Sequence, residues 1–141
     1  MNTIVKQFCD FYINFDKQNL QQLELIYRGD ISFTDPAHHI GDLKSLIDYF
    51  SNMMTQVDNC QFTIHKVIED NDEAFIQWQM MFSHPSLNKQ QDIKVDGVSH
   101  IRFDEKIYFH RDYFDMGSML YEHIPMIGFL IKKIKNRLNH E

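Results

Sequence analysis

The hydrophobic period of this chain changes at Cys60, and that change limits the folds open to it. Before it, Ile4, Val5, Phe8, Cys9, Phe11, Tyr12 and Phe15 recur at the spacing of a helix face, and Leu43, Leu46, Ile47, Phe50, Met53, Met54 and Val57 do so again. After it, Cys60, Phe62 and Ile64 alternate with Gln61, Thr63 and His65. Ile76, Trp78, Met80 and Phe82 then alternate with Gln77, Gln79 and Met81, the pattern of strands buried on one face. Helices followed by a meander of long strands predict an α+β architecture, with helices covering one face of a curved antiparallel sheet.

Between the two helical stretches, Asn19 and Gln22 have the spacing of a capping box. They predict a short second helix through Leu20, Leu23, Ile26 and Tyr27, ended by Gly29-Asp30. Ile31 to Thr34 reads as a strand closed by Asp35-Pro36, because proline cannot donate to a ladder and forces the residue before it to be extended. Asp42 is placed to cap the third helix. Asn71-Asp72 marks a hairpin turn, and Gly97 a bulge in a strand from Asp92 to Phe103. Past Gly117, Ile127, Leu130, Ile131, Ile134 and Leu138 form an apolar stripe on a terminal helix, opposite Lys132, Lys133, Lys135 and Arg137.

The 141 residues suffice for one domain with a proper core, read as residues 1–117 with a helical extension, 118–141, packed on it or on a partner. Net charge is -6, yet residues 132–141 hold four of the 14 basic residues and one of the 20 acidic ones. So acidic a body argues against nucleic acid as a partner. No apolar run is long enough to span a bilayer, and the N-terminus lacks a basic start and a small-residue cleavage site, so a mature cytoplasmic chain is expected. Cys9 and Cys60 have no CxxC or metal spacing and are expected reduced. The histidines form no His-x-His or His-x₃-His pair, so no metal site is expected.

The stretch Lys106-Ile-Tyr-Phe-His-Arg-Asp-Tyr-Phe-Asp115 is a hydrophobic strand with an aspartate inside it. Alternation puts Tyr108, His110, Asp112 and Phe114 on one face and Phe109, Arg111 and Tyr113 on the other. A carboxylate held against apolar neighbours loses solvation and becomes a better proton acceptor or donor near neutrality. Two readings stay open. Asp112 is a proton-transfer group, or it is satisfied by Arg111, or by His110 two residues away, and only closes a polar hole.

The order of elements, the Phe-Thr-Asp35-Pro36 corner and the pair Gly97-Val-Ser-His-Ile-Arg-Phe and His110-Arg-Asp112-Tyr-Phe-Asp115 resemble the nuclear transport factor 2-like superfamily over roughly residues 3 to 116. Within it they are most similar to the SnoaL-like branch of polyketide cyclases, ketosteroid isomerases and limonene epoxide hydrolases. The resemblance implies a cystatin-like cone, in which a bent sheet wraps a long helix around a deep apolar pocket that takes a hydrophobic small molecule without a cofactor. It places Asp112 where the epoxide hydrolases and cyclases carry a catalytic aspartate, and Asp35 where the isomerases carry their general base. His110 or His39 is then the second acid/base or orienting group. Phe11, Tyr12, Phe15, Phe33, Phe50, Trp78, Met80, Ser99, Ile101 and Phe114 are the expected ligand contacts.

The departures matter as much. The isomerases stabilise an enolate with a tyrosine on the first helix and a protonated aspartate, where this chain has Phe11 and Ser99. Tyr12 is one residue off, about 100° round a helix. That argues against steroid-isomerase chemistry. The Arg-x-Asp pair of the epoxide hydrolases is replaced by Trp78 and Met80, which argues against activating a water. The family also implies a homodimer through an outer sheet face bearing Gln61, Thr63, Gln77 and Gln79. The basic terminal helix offers at most weak, reversible peripheral membrane contact. A non-catalytic ligand-binding or dimeric interaction module is the alternative.

Overall fold

The computed structural model describes residues 1–88, 91–119 and 125–139. Helix α1 spans Thr3–Ile13 and is capped by the Asn2 side chain, which accepts from the Ile4 amide at 2.8 Å. Its wide apolar stripe buries Ile4, Val5, Phe8, Cys9, Phe11 and Tyr12. The second helical region differs from expectation. Its cap is Asp16, which accepts from the Gln18 amide, and it is a 3-10 segment, Lys17–Gln22, running into a single α-turn, α2, Leu23–Ile26. Helix α3, Leu43–Gln56, is capped by Asp42 and buries Leu46 and Phe50.

The strands are β1 Tyr27–Thr34, β2 His39–Ile40, β3 Asn59–Asp70, β4 Glu73–Ser83, β5 Ile93–Phe103 and β6 Ile107–Phe114. They form one six-stranded sheet in the order β2-β1-β6-β5-β4-β3. Its curl carries α1 against β3 and α3 against β1. Between them lies a core that includes Val5, Leu23, Ile31, Leu46, Ile76, Ile101 and Ile107. The sheet is mixed: β1 pairs with β6 in parallel, while the other pairings are antiparallel.

Four local readings are corrected. Strand β1 starts at Tyr27, so Gly29-Asp30 interrupts a strand instead of ending a helix. Against β6 the register slips between Tyr27 and Ser32, and Arg28 bridges Asp30 and Asp104 at the irregularity. The strand holding Gly97 begins at Ile93, and Gly97 is no bulge, for its pairing with Trp78 is in register. A Cβ there would collide with the indole, so glycine makes room for tryptophan. Tyr108 leaves the inner face because β6 slips between its Ile107 and Phe109 pairings, which gives the buried inward position to Ile107. The fourth concerns the terminal helices.

Beyond β6, a short helix α4, Met116–Met119, precedes α5, Pro125–Asn139. Ile131 and Lys135 of α5 lie close to Gly117 of α4, and Lys135 Nζ donates to Asp115 Oδ2 at 2.7 Å. Of the expected apolar stripe Ile131 is half-buried there, while Leu130, Ile134 and Leu138 are exposed. The Ile127 side chain and the segment from 120 to 124 fall outside the described residues. No helix among the described residues is long and apolar enough to cross a membrane.

Candidate functional site

Inside the cone, between α1, α3 and the concave sheet face, lies a cavity of about 440 Å³. Ten aromatic side chains line it, and its buried polar groups gather in two clusters on neighbouring strand ends. They are neighbours because β1 and β6 run in parallel with Phe33 beside His110 and Thr34 beside Arg111, so Asp35 follows β1 where Asp112 follows on β6.

The first cluster is built on Asp112. Its Oδ1 accepts from Ser99 Oγ at 2.5 Å and from His110 Nε2 at 2.6 Å, and Ser99 Oγ accepts from Trp78 Nε1 at 2.9 Å. Behind His110, Nδ1 lies 2.8 Å from the Tyr27 hydroxyl, which lies 3.0 Å from that of Tyr12. Only one direction gives every hydrogen an acceptor: Tyr12 donates to Tyr27, Tyr27 to His110, and His110 to Asp112. Reversed, the chain would strand the Tyr12 hydroxyl hydrogen without an acceptor among the described residues. Burial raises the pKa of both phenols, with the charge of Asp112 adding to it, so both stay protonated donors. Both carboxylate bonds fall on Oδ1. No buried side-chain N or O among the described residues lacks a partner, so Oδ2, which receives no bond, is accessible, and Asp112 lines both the cavity and a second hollow beside Arg111 and Tyr113.

The second cluster is built on Asp35, whose side chain is 4% exposed. Oδ1 accepts from the Ala37 and His38 amides at 2.9 and 2.7 Å and faces His38 Nδ1 at 3.2 Å. The Tyr49 hydroxyl donates to Oδ2 at 2.6 Å, and Tyr49 is held neutral by burial and by that bond. The loop after Asp35-Pro36 is thus folded onto its own carboxylate, an Asx turn that a short acceptor before two amides favours.

Of the expected residues, Tyr12, Phe15, Phe33, Asp35, Phe50, Trp78, Met80, Ser99, Asp112 and Phe114 line the cavity, and His110 stands directly behind Asp112. Three are elsewhere. Phe11 is buried but turned into the packing against Tyr12 and Phe15, and the residues of α1 that reach the cavity are Phe8 and Tyr12. Ile101 is wholly buried beneath it, opposite His110. His39 is exposed on β2, with Nδ1 on Thr34 Oγ1. Arg111, suggested as a partner of Asp112, projects to the opposite face and lies over the Tyr113 ring.

Sequence reasoning missed Tyr27, Tyr49 and His38. Tyr49 had a signal, being three residues from Leu46 and four from Met53 on the α3 stripe. His38 and His39 could not be told apart within a loop. Tyr27 was assigned to a helix. Cys60 also lines the cavity, and burial pushes its thiol up to about 12. Among the described residues, no group of three His, Cys, Asp or Glu side chains could hold a metal ion.

The model of the SnoaL-like domain matches residues 5–110. No curated protein matches by sequence. Solved structures share the fold at low identity. An NTF2-like protein of unknown function from Burkholderia pseudomallei has 14% identity and a TM-score of 0.74 over 85% of this chain and 96% of its own. A protein assigned as a SnoaL-like polyketide cyclase from Shewanella putrefaciens has 16% and 0.73, over 89% and 98%. An LEH-like epoxide hydrolase from M. tuberculosis has 16% and 0.66, over 82% and 79%. At such identity these likenesses speak for the fold alone.

Proposed function

Because the chain belongs to the SnoaL-like domain family, we propose that it binds a small, largely apolar molecule inside the cone and that Asp112 meets the polar end of that molecule as its acid/base group. The observation that carries this reading is the Asp112 carboxylate, which lines an aromatic cavity with Oδ1 held by Ser99 and His110 and Oδ2 unbonded and accessible. A base so held is oriented without being consumed. About 440 Å³ is within the range of small-molecule sites. At the ~30 Å³ of a water molecule it takes on the order of fifteen non-hydrogen atoms.

Any reaction in this reading is a cofactor-independent proton transfer of the isomerase or cyclase type, with Asp35 and Tyr49 as the second polar group. Oxyanion stabilisation is its weak element, since the Tyr12, Tyr49, Trp78 and Ser99 donors are all spent within the wall. That same observation favours a second reading, binding without catalysis.

The proposal extends to a cytoplasmic protein with a binding domain over residues 1–117 and an extension over 118–141, whose Lys135–Asp115 bond supports its packing on the domain. It also includes a homodimer through the outer sheet face with Gln61, Thr63, Gln77 and Gln79, with any membrane contact of the basic helix weak.

Native mass spectrometry of protein from its own host, with organic extraction, tests both readings alongside Asp112→Asn. One compound on the wild type and a different one on the variant supports proton transfer. The same compound on both supports binding alone. Nothing on either sinks the small-molecule reading.

A further inference from the structure

The cavity has an asymmetry in its hydrogen-bonding character. Its buried polar wall consists of Asp35, Tyr49, Ser99 and Asp112, with Tyr12 and Trp78 beside them, and each donor in it already serves an acceptor in the wall or, for Tyr12, the Tyr27 hydroxyl behind it. What remains to a ligand there is acceptor capacity: Asp112 Oδ2 and the lone pairs of the hydroxyls. The side chains with further donors, Asn52, Gln56 and His84, are at the rim on α3 and after β4.

Charge points the same way. Two carboxylates border the cavity, and no lysine or arginine among the described residues does. The histidines at hand are His38, half exposed against Asp35, His110 behind Asp112, and His84 at the rim. A neutral apolar guest would displace the water that hydrates Asp112 Oδ2 and give nothing back, while an anion would be repelled. The rest of the wall is apolar and rich in aromatic rings, including Tyr12, Phe33, Phe50, Trp78 and Phe114, and the face of such a ring attracts a cation that has shed its water.

We propose that the ligand class of this pocket is a lipophilic cation, a protonated or quaternary amine on an apolar body, with its ammonium group between Asp35 and Asp112 and its body among the aromatic rings. This rests on the small-molecule reading above and narrows it.

Trp78, the one tryptophan of the chain, lines the cavity and reports on its occupancy by fluorescence. Three probes of one shape are titrated at neutral pH: benzyltrimethylammonium, its uncharged isostere neopentylbenzene, and the anion phenylmethanesulfonate. The cation is expected to bind about tenfold or more tighter than the isostere, and less tightly as ionic strength rises. In Asp112→Asn, and independently in Asp35→Asn, that advantage is expected to shrink while neopentylbenzene still binds, which shows that the variant cavity is intact. Binding of the isostere as tightly as the cation, or of the anion most tightly, overturns the ligand class and leaves the small-molecule pocket standing. No response to any probe overturns both.

Discussion

Replacing Gly97 by alanine tests whether the site is set by the contact between β4 and β5. Gly97 is paired with Trp78, and a Cβ built on it lies 2.8 Å from Cζ3 of the indole and closer still to Cη2 and Cζ2. The indole has little room to retreat. Its Nε1 donates to Ser99 Oγ at 2.9 Å, and its rings pack against Phe62 and Phe114 at centroid distances of 5.7 and 6.1 Å. Gly97 does not have a positive φ, so the added cost is steric and not a backbone penalty. Overpacking costs about 1–3 kcal/mol, and losing the bond to Ser99 costs about 0.5–1.5 kcal/mol. The lower unfolded-state entropy of alanine returns about 0.4–1 kcal/mol. The net expectation is a loss of about 0.5–4 kcal/mol, read from urea unfolding, with a changed Trp78 emission in the native state. The double variant Gly97→Ala, Trp78→Phe should recover part of the loss, because the smaller ring vacates the contested space. A change below about 0.5 kcal/mol with an unaltered Trp78 spectrum would refute the reasoning.

Two further expectations concern the buried polar wall. Tyr27→Phe removes the donor to His110 Nδ1 and the acceptor for the Tyr12 hydroxyl, both buried, and should cost about 1–3 kcal/mol. Nitrogen NMR of His110 should then show a shifted Nδ1 resonance, and an unshifted one would mean that the chain does not run as drawn. Stability should fall as pH rises, beginning near the range where an unfolded thiol ionises, about 8.5. Folded Cys60 keeps its proton up to about 12, so between those values the unfolded state binds fewer protons and unfolding gains ground. Tyr12, Tyr27 and Tyr49, all raised, act in the same direction at higher pH. Urea midpoints from pH 8 upward should decline less steeply in Cys60→Ala, and equal slopes would remove Cys60 from the account.

Periodicity alone determined a good deal of this protein. The apolar spacing of α1 and α3 marked helices whose burial depends only on which residues share a face. The change of period at Cys60 located β3 and β4, and alternation put Trp78, Met80, His110 and Asp112 on one side of the sheet. Those features are local, written in steps of two or of three to four residues. What the tertiary structure alone decided is the pairing of residues far apart. Tyr27 reaches His110 across 83 positions, and Asp35 stands near Asp112 only because β1 and β6 run in parallel, which no period announces. The stripe on α1 is wider than the step from Phe11 to Tyr12, so spacing could not say which of the two faces the cavity. Gly97 looked like a defect in a strand until Trp78 was seen to occupy its missing side chain. Hydrophobic burial is additive along a chain and shows in its pattern. Hydrogen bonds and close contacts are fixed by distances of a fraction of an ångström between segments that meet only when the sheet closes round the helices.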